Sequence, residues 1–208
     1  MILDEISEQL IIGRAPVLAD TVKKALNEGY VPAQIINGGL IKGMDVIGER
    51  FKNNEVFVPE VMMAARAMKA AMEVLKPLLK SGDVSEKGTV VIGTVKGDQH
   101  DIGKNLVAIM LESKGFRVID LGVNVAPEKY VETAIKENAD IIACSALLTT
   151  TMINMKAVVE LAKEKTDSKV KVMIGGAPVT QSFCDQIGAD GYSEDAAAAA
   201  ELAERLVS

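Results

Sequence analysis

The stretch Thr89–Asn105 reads TVVIGTVKGDQHDIGKN and joins an apolar run to a polar loop. Its first part, Thr89–Val95, is rich in β-branched residues, which is typical of a strand buried on both faces. A helix is predicted from about Ile102 to Lys114. A buried strand followed by a helix is a β-α unit, and such units build parallel sheets.

The same alternation continues toward the C terminus. Four further strands are predicted, at Phe116–Leu121, Asp140–Ala146, Lys171–Ile174 and Gly191–Tyr192. Four further helices are predicted, at Pro127–Glu137, Thr151–Lys165, Thr180–Ile187 and Asp195–Leu206. We therefore predict a five-stranded, parallel, doubly wound α/β sheet of the flavodoxin-like kind, with helices on both faces. Ligands of such sheets bind beyond the carboxyl ends of strands, where the strand order reverses.

Before residue 86 every periodic segment is helical. Four helices are predicted, at Leu3–Ile12, Pro16–Asn27, Pro32–Phe51 and Val58–Leu79. The third contains four glycines, which indicate either close helix–helix contact or a break. The fourth shows an apolar stripe at three- and four-residue steps, namely Val58, Val61, Met62, Ala65, Met68, Met72, Leu75 and Leu79. Helices with short connections predict an all-α four-helix bundle over residues 1–86, before an α/β domain over 87–208. The polar segment Ser81–Lys87 is the predicted linker.

Composition excludes several functions. The chain has 208 residues and a net charge of -6, without the dense basic stripe of a nucleic-acid-binding protein. No apolar run approaches the roughly 18 residues of a membrane span, and the first residues carry acids where a signal peptide carries bases. Cys144 and Cys184 form no metal-type pair by spacing. We expect a reduced, cytoplasmic protein that binds neither nucleic acid nor membrane.

Three polar or glycine-rich loops follow predicted strands, and so share one edge of the sheet. They are Lys96–Asn105, Ser145–Thr151 and Gly175–Pro178. Taken alone, the glycines of the third loop fit a tight turn, and Ser145 and Thr149 fit turn or helix-cap residues. Glycines also allow backbone to approach a bulky ligand closely.

His100, in the first loop, is the only histidine of the chain. A lone histidine is commonly a surface or capping residue. Here Asp98 lies two residues earlier, where its carboxylate can reach the imidazole Nδ1–H, as partners of metal-bound histidines do. One side chain cannot hold a free metal ion, since tetrahedral sites need three or four ligands. A metal inside a macrocycle, in a haem or a corrinoid, needs only one or two ligands from the protein.

Other chemistries lack their motifs. Gly97 and Gly103 are too far apart for a P-loop, and Asn105 stands where that loop requires a hydroxyl. No dinucleotide-binding glycine fingerprint follows the first strand, and no serine lies on a nucleophile elbow.

Asp98-x-His100-x-x-Gly103, then Ser145-x-Leu147, then Gly175-Gly176 resembles the cobalamin-binding signature of B12-dependent methyltransferases and mutases. The segment Val56–Met68 resembles the four-helix cap that precedes the B12 domain in methionine synthase. The same cap occurs in the corrinoid subunits of methanol, methylamine, betaine and aryl-ether methyltransferase systems. The chain is thus similar to a stand-alone corrinoid protein that carries methyl groups.

The resemblance implies a base-off corrinoid (cobalamin or a relative), whose nucleotide tail enters the sheet domain while His100 binds cobalt from below. Asp98 and Thr151 complete the family's triad, in which methionine synthase has a serine at the position of Thr151. The remaining implied cofactor contacts are Gln99, Asp101, Ile102 and Gly103 in the first loop, Ser145, Leu147 and Thr149 in the second, and Gly175, Gly176 and Tyr192 along the tail.

In the cap, the resemblance makes Phe57, Val58, Met62 and Met68 candidates to cover the methyl-bearing face of the cofactor. The alternative is that they are only bundle core. The cover has to move for a partner enzyme, which makes Ser81–Lys87 a candidate hinge.

The implied role is to accept a methyl group as Co(I), hold it as methyl-Co(III) and release it. The implied partners are a substrate-specific methyltransferase, a second methyltransferase that delivers to tetrahydrofolate or a thiol such as coenzyme M, and a reductive activation protein. The chain by itself is not expected to turn over. The alternatives are a B12-sensing regulatory module and a flavodoxin-like domain that binds no corrinoid.

Overall fold

The computed structural model describes residues 1–79 and 86–208. The chain divides into two compact units, a helical unit of the first 79 described residues and an α/β unit that holds most of the rest. The first five residues of the predicted linker and hinge, Ser81–Lys87, lie outside the described ranges. Within those ranges, no helix is both long and apolar enough to cross a membrane.

The helical unit contains the four predicted helical segments, with the third divided. The elements are α1 (Ile2–Ile12), α2 (Ala15–Asn27), α3 (Pro32–Ile35), a π-helical turn (Ile36–Ile41), α4 (Lys42–Lys52), α5 (Val58–Leu75) and a 3₁₀ turn (Lys76–Leu78). Prolines stand in the first turns of α2, α3 and α5, where their missing N–H leaves no helical hydrogen bond unmade.

The glycines of the third segment bring it close to α1. A β-carbon at Gly39 would lie 2.7 Å from Cγ2 of Ile6, and one at Gly43 would lie 3.1 Å from the backbone oxygen of Ser7. Both readings of the glycines are confirmed, since the helices touch closely and the regular α-helix is interrupted by the π-helical turn.

The predicted stripe of α5 is partly wrong. Val61 and Leu75 are buried as expected, but the other fully buried positions are Ala64, Ala67 and Ala71. Met62, from the predicted stripe, is 44% exposed. Helical periodicity does not distinguish two neighbouring apolar faces, and the face with small alanines lies inside, where helices pack closely.

The α/β unit contains five parallel strands in the order β2-β1-β3-β4-β5, which confirms the predicted sheet. They are β1 (Thr89–Thr94), β2 (Arg117–Asp120), β3 (Ile141–Ser145), β4 (Lys171–Gly175) and β5 (Gly191–Ser193). β1 is buried along its whole length. The central strands are therefore covered on both faces, as their apolar sequences predicted.

Helices cover both faces of this sheet. They are α6 (Ile102–Ser113), α7 (Pro127–Lys136), α8 (Thr149–Met152), α9 (Asn154–Thr166), α10 (Gln181–Ile187) and α11 (Ala196–Leu206). α7, α9 and α10 supply side chains to the core on one face. α11 packs on the other, where Leu202 lies over Gly191. The prediction of one helix over Thr151–Lys165 needs correction. The helical segment begins two residues earlier, at Thr149, and is interrupted at Ile153, so that it forms α8 and α9.

The strand order reverses between β1 and β3. From β1 the chain crosses to the neighbour on one side, and from β3 to the neighbour on the other. The loops after these two strands therefore diverge and leave a crevice between them, which is where ligands of such sheets bind. Both loops carry predicted site residues.

Candidate functional site

The loop after β1 is tied to its neighbours on two sides. The N–H of Gly97 donates to Oδ1 of Asn124, at 2.8 Å, in the loop after β2. On the other side, Nδ2 of Asn154, at the start of α9, donates to the carbonyl of Lys96, also at 2.8 Å. The loop is therefore held by the protein itself, independently of any ligand.

Asp98 is the centre of this arrangement. Its side chain is fully buried, and the described part of the chain supplies it with five hydrogen-bond donors. Oδ1 accepts from the backbone N–H of His100 at 3.1 Å and from its Nδ1 at 2.7 Å. Oδ2 accepts from the Thr151 hydroxyl at 2.6 Å and from the N–H groups of Leu147 and Leu148 at 2.9 and 3.3 Å. The carboxylate thus joins the loops on both sides of the crevice.

These donors decide the charge of the carboxyl group. Burial acts to raise the pKa of Asp98, but the hydrogen bonds from Thr151, from the Leu147 N–H and from His100 outweigh it. The pKa lies well below its ordinary value, so Asp98 is ionised at neutral pH. An ionised carboxylate only accepts hydrogen bonds, which makes Nδ1 of His100 the protonated nitrogen and leaves the Nε2 lone pair available.

The imidazole is half-exposed, with 50% of the His100 side chain accessible. No group of three or more His, Cys, Asp or Glu side chains within residues 1–79 and 86–208 is arranged to hold a metal ion. A metal bound here would therefore have to bring its other ligands. The donor set fits a corrinoid, because such a cofactor would bring most ligands of its own metal and would need one imidazole from the protein.

A row of small polar residues crosses the carboxyl ends of four strands. In register, Thr94 of β1 is paired with Ser145 of β3, Ser145 with Gly175 of β4, and Gly175 with Ser193 of β5. Paired residues of a parallel sheet face the same side, so the row runs along one face for about 14 Å, three strand spacings. The Thr94 hydroxyl donates to the carbonyl of His100 at 2.8 Å, so the row begins beneath the histidine loop.

Two hydroxyls of the row, those of Ser145 and Ser193, are available to a ligand as far as the described residues show. Ser193 is 8% exposed, and its Oγ lies 3.5 Å from the position of a β-carbon on Gly175. Neither Ser145 nor Ser193 forms a side-chain hydrogen bond to any residue that the structure describes. A glycine flanked by two available hydroxyls leaves room and polar contacts for a ligand.

Gly176, the second glycine of the Gly175-Gly176 pair, is required for a different reason. Gly176 has a φ of 129°, and a β-carbon there would lie 1.9 Å from the carbonyl oxygen of Ala146. The loop after β4 therefore presses directly on the loop after β3. Contact between backbones already explains a glycine at this position, before any ligand is considered.

Exposed apolar side chains occupy the same edge. Ile102 is 74% exposed at the start of α6, and Leu147 and Leu148 are 45% and 43% exposed after β3. Apolar surface around an available imidazole suits a large ligand with apolar edges, since pockets for such ligands combine apolar walls with few polar groups. Gln99, Asp101 and Gly103 complete the exposed part of the histidine loop.

The remaining predicted residues have the following places within their own units. Tyr192 packs against the core on the opposite face of the sheet from Ser145. Thr149 is the exposed first residue of α8. Phe57 and Met62 are 63% and 44% exposed in the helical unit, which contradicts the alternative that they are bundle core. Val58 and Met68 are partly buried there.

Sequence reasoning missed several residues that shape the site. They are Thr94, Lys104, Asn124, Leu148, Asn154 and Ser193. The positions of Thr94 and Ser193 were available signals, because Thr94 is next to last in the predicted strand Thr89–Val95 and Ser193 directly follows the predicted strand Gly191–Tyr192, at the same edge as Ser145. The others act through hydrogen bonds that only the folded chain shows.

Both halves of the chain match models of known domains. Residues 88–201 match a B12 binding domain, and residues 2–76 match a second B12 binding domain model. The chain belongs to the B12-binding corrinoid proteins. A corrinoid protein of Desulfitobacterium hafniense strain Y51 is 43% identical over 99% of this chain and 97% of its own length. The dimethylamine corrinoid protein of Methanosarcina barkeri is 45% identical over 99% of this chain and 97% of its own length.

Solved structures agree. This corrinoid protein superposes on a chain of the methanol:cobalamin methyltransferase complex of Methanosarcina barkeri with a TM-score of 0.88 and 33% identity, over 99% of this chain and 79% of that one. A cobalamin-binding protein of Desulfitobacterium hafniense DCB-2 gives a TM-score of 0.82 and 32% identity, over 99% and 98% of the two chains.

Proposed function

We propose that this protein is the methyl-carrying subunit of a corrinoid-dependent methyltransferase system. When bound, the corrinoid accepts a methyl group on cobalt and releases it to an acceptor. The chain supplies ligation, orientation and exclusion of water. A substrate-specific methyltransferase would load the methyl group, a second would pass it to tetrahydrofolate or a thiol, and a reductive activation protein would restore the carrier. The similarity to a dimethylamine corrinoid protein and to a chain of a methanol:cobalamin methyltransferase complex supports this role.

The observation that carries the proposal is the Asp98–His100 pair. Asp98 fixes the tautomer in which Nε2 of His100 keeps its lone pair, and it holds the orientation of the ring, as partners of metal-bound histidines do. Thr151 donates to the same carboxylate. We infer that His100 would bind the cobalt of the corrinoid, with Asp98 and Thr151 holding the orientation and tautomer of its ring.

The nucleotide tail would lie along the row of small residues. Ser145 offers an available hydroxyl, Gly175 leaves space, and Leu147 and Thr149 border the loop beside it. Gly176 would contribute by holding the two loops together. We leave Tyr192 out of this tail site, because its side chain lies on the other face of the sheet.

The remaining proposed contacts lie around the ring. Gln99, Asp101, Ile102 and Gly103 would meet its lower side, since all four are exposed on the loop that carries His100. Phe57 and Met62, exposed in the helical unit, together with Met68, would cover the methyl-bearing side. An apolar cover suits an uncharged methyl group and keeps water from the cobalt.

One histidine per chain allows a direct test of the ligand. Protein labelled with ¹⁵N-histidine should be loaded with cobalamin, reduced to Co(II), and studied by electron paramagnetic resonance. Because ¹⁴N splits each cobalt line into three and ¹⁵N into two, labelling should change triplets to doublets. Triplets that persist would show that the cofactor's own base is the ligand and would overturn the assignment.

A variant pair extends the test. His100→Ala should fold normally yet lose the nitrogen splitting, whereas Gln186→Ala, an exposed residue of α10, should behave as wild type. The carrier role is tested by loading the wild type with labelled methyl groups. Transfer of the methyl group to a thiol or tetrahydrofolate should require a second methyltransferase. If no such enzyme supports the transfer, the carrier role is contradicted.

A further inference from the structure

Lys104 is buried at a position where neither helix electrostatics nor desolvation favours a lysine. Its side chain is only 2% exposed, and it lies in the first turn of α6. The positive end of the helix dipole disfavours a cation there, and a buried charge is costly unless it is paired. Residues that break local rules without benefit to the fold commonly serve function.

Lys104 forms an ion pair with Asp120, a residue of the neighbouring strand β2. Its Nζ lies 2.5 Å from Oδ2 of Asp120, at the carboxyl end of β2, and 2.6 Å from Oδ1 of Asn105. The other oxygen of Asp120 accepts from the N–H of Gly122 at 2.8 Å. The N-terminal turn of α6 is thereby fastened to the loop that follows β2.

This contact closes a ring through the histidine loop. The carbonyl of Gly122 accepts from the N–H of Thr94 at 3.0 Å, and the hydroxyl of Thr94 donates to the carbonyl of His100 at 2.8 Å. From His100 the chain continues into α6 and returns to Lys104. Each side of His100 is thus anchored, one side through Thr94 and the other through the Lys104–Asp120 pair.

The geometry points to Lys104 as a positioning residue for His100, an inference that rests on the proposed role of His100 as cobalt ligand. α6 begins two residues after His100, so a displacement of its first turn moves the imidazole. By fixing that turn before the cofactor arrives, the ion pair lowers the conformational cost of forming the Co–N bond.

Lys104→Met tests the inference in the full chain loaded with cobalamin, because methionine fills similar volume without the charge. We expect about tenfold weaker binding of His100 to Co(II). Because Co(I) prefers fewer ligands, weaker ligation of Co(II) makes the Co(II)/Co(I) midpoint potential less negative, by about 59 mV for tenfold in a one-electron couple. In the apo protein, amide hydrogen exchange over residues 101–105 should be faster than in wild type.

Arg117→Met is the matched control. Arg117 lies at the opposite end of β2 from Asp120 and forms an ion pair of 2.6 Å with Glu137. Loss of this ion pair should leave both the Co(II)/Co(I) midpoint potential and the amide hydrogen exchange of residues 101–105 unchanged. Equal shifts in the two variants would reduce Lys104 to a general structural role and overturn the inference. A folded Lys104→Met protein with wild-type potential and exchange would overturn it as well.

Asp120→Asn covers the case in which Lys104→Met does not fold. The substitution keeps the shape of a side chain that is 42% exposed and removes its charge, so the potential should shift in the same direction by a smaller amount. An unchanged potential in that variant would contradict the inference. Failure of the proposed function is distinguishable, because the wild type itself would then show no histidine nitrogen at cobalt.

Discussion

The carboxylate of Asp98 shows how one residue determines the chemistry of the crevice. It accepts hydrogen bonds from both loops that border the reversal point. Because its pKa is lowered in the folded chain, its ionised form contributes stability that is fully present above the unfolded value of about 3.9 and is lost as the pH falls through the folded value. The same charge that stabilises the loops also sets the histidine tautomer.

Ser193 is the residue at which folding and ligand binding should favour different side chains. The residue is 8% exposed and its hydroxyl has no hydrogen-bond partner among the described residues, so Ser193→Ala should leave the free energy of unfolding of the apo protein equal or slightly higher. If the tail uses this hydroxyl, the affinity for cobalamin should fall about three- to tenfold. Urea unfolding and equilibrium binding measure the two effects.

Two comparisons sharpen that experiment. Cobinamide, a corrinoid without the nucleotide tail, should bind the Ser193→Ala variant as well as it binds wild type. Ser182→Ala, on the exposed side of α10, should change neither stability nor affinity. A loss of apo stability, or an equal loss for both corrinoids, would count against a tail contact.

At the scale of elements, the loops after β3 and β4 are positioned by backbone contact. Gly176 is the point of contact, with its positive φ and the carbonyl of Ala146 where a side chain would begin. Gly103, in α6, is the opposite case, since no described residue lies within 4 Å of a β-carbon there. The first glycine serves the fold, and the second is free to serve a ligand.

Substitution by alanine should separate these two glycines. Gly176→Ala should lower the free energy of unfolding of the apo protein by about 2–4 kcal/mol, because it combines backbone strain with a clash. Gly103→Ala should raise it by up to about 1 kcal/mol, since alanine is the better helix former. Chemical unfolding of the two apo variants measures these free energies. Similar free energies of unfolding for Gly176→Ala and Gly103→Ala would contradict this division of roles.

Elements also show where sequence reasoning succeeds. Strands such as β1 were predictable because a short apolar run rich in β-branched residues favours a buried strand over a helix. The Asp98–His100 contact was predictable because the two residues are two positions apart in a loop. The buried face of α5 was not predictable, since both its alanine and methionine faces are apolar. The pairing of Ser145 with Ser193 across Gly175 depends on strand register, which no local pattern contains.

At the scale of the whole chain, the described hydrogen bonds that position His100 come from the α/β unit. Within residues 1–79 and 86–208, every partner of Asp98 and of the histidine loop lies between Thr94 and Asn154. The helical unit, by contrast, has a core of its own built on residues such as Ala64 and Leu10, and leaves Phe57 exposed. If His100 binds the cobalt and the helical unit covers it, as proposed, ligation and covering of the cofactor should be separable properties.

A chain of residues 86–208 should accordingly still bind cobalamin with a histidine nitrogen at cobalt, since no hydrogen bond around Asp98 is removed. It should lose protection of the methyl-bearing side, so reduced cofactor in the fragment should react with oxygen at least tenfold faster than in the full chain. Nitrogen splitting in the Co(II) spectrum and stopped-flow oxidation measure the two properties.

The full chain with Phe57→Ala should oxidise at an intermediate rate while its apo stability stays unchanged, because that side chain is 63% exposed. If the fragment folds and oxidises no faster than the full chain, the helical unit does not shield the cobalt and its exposed apolar residues serve another purpose.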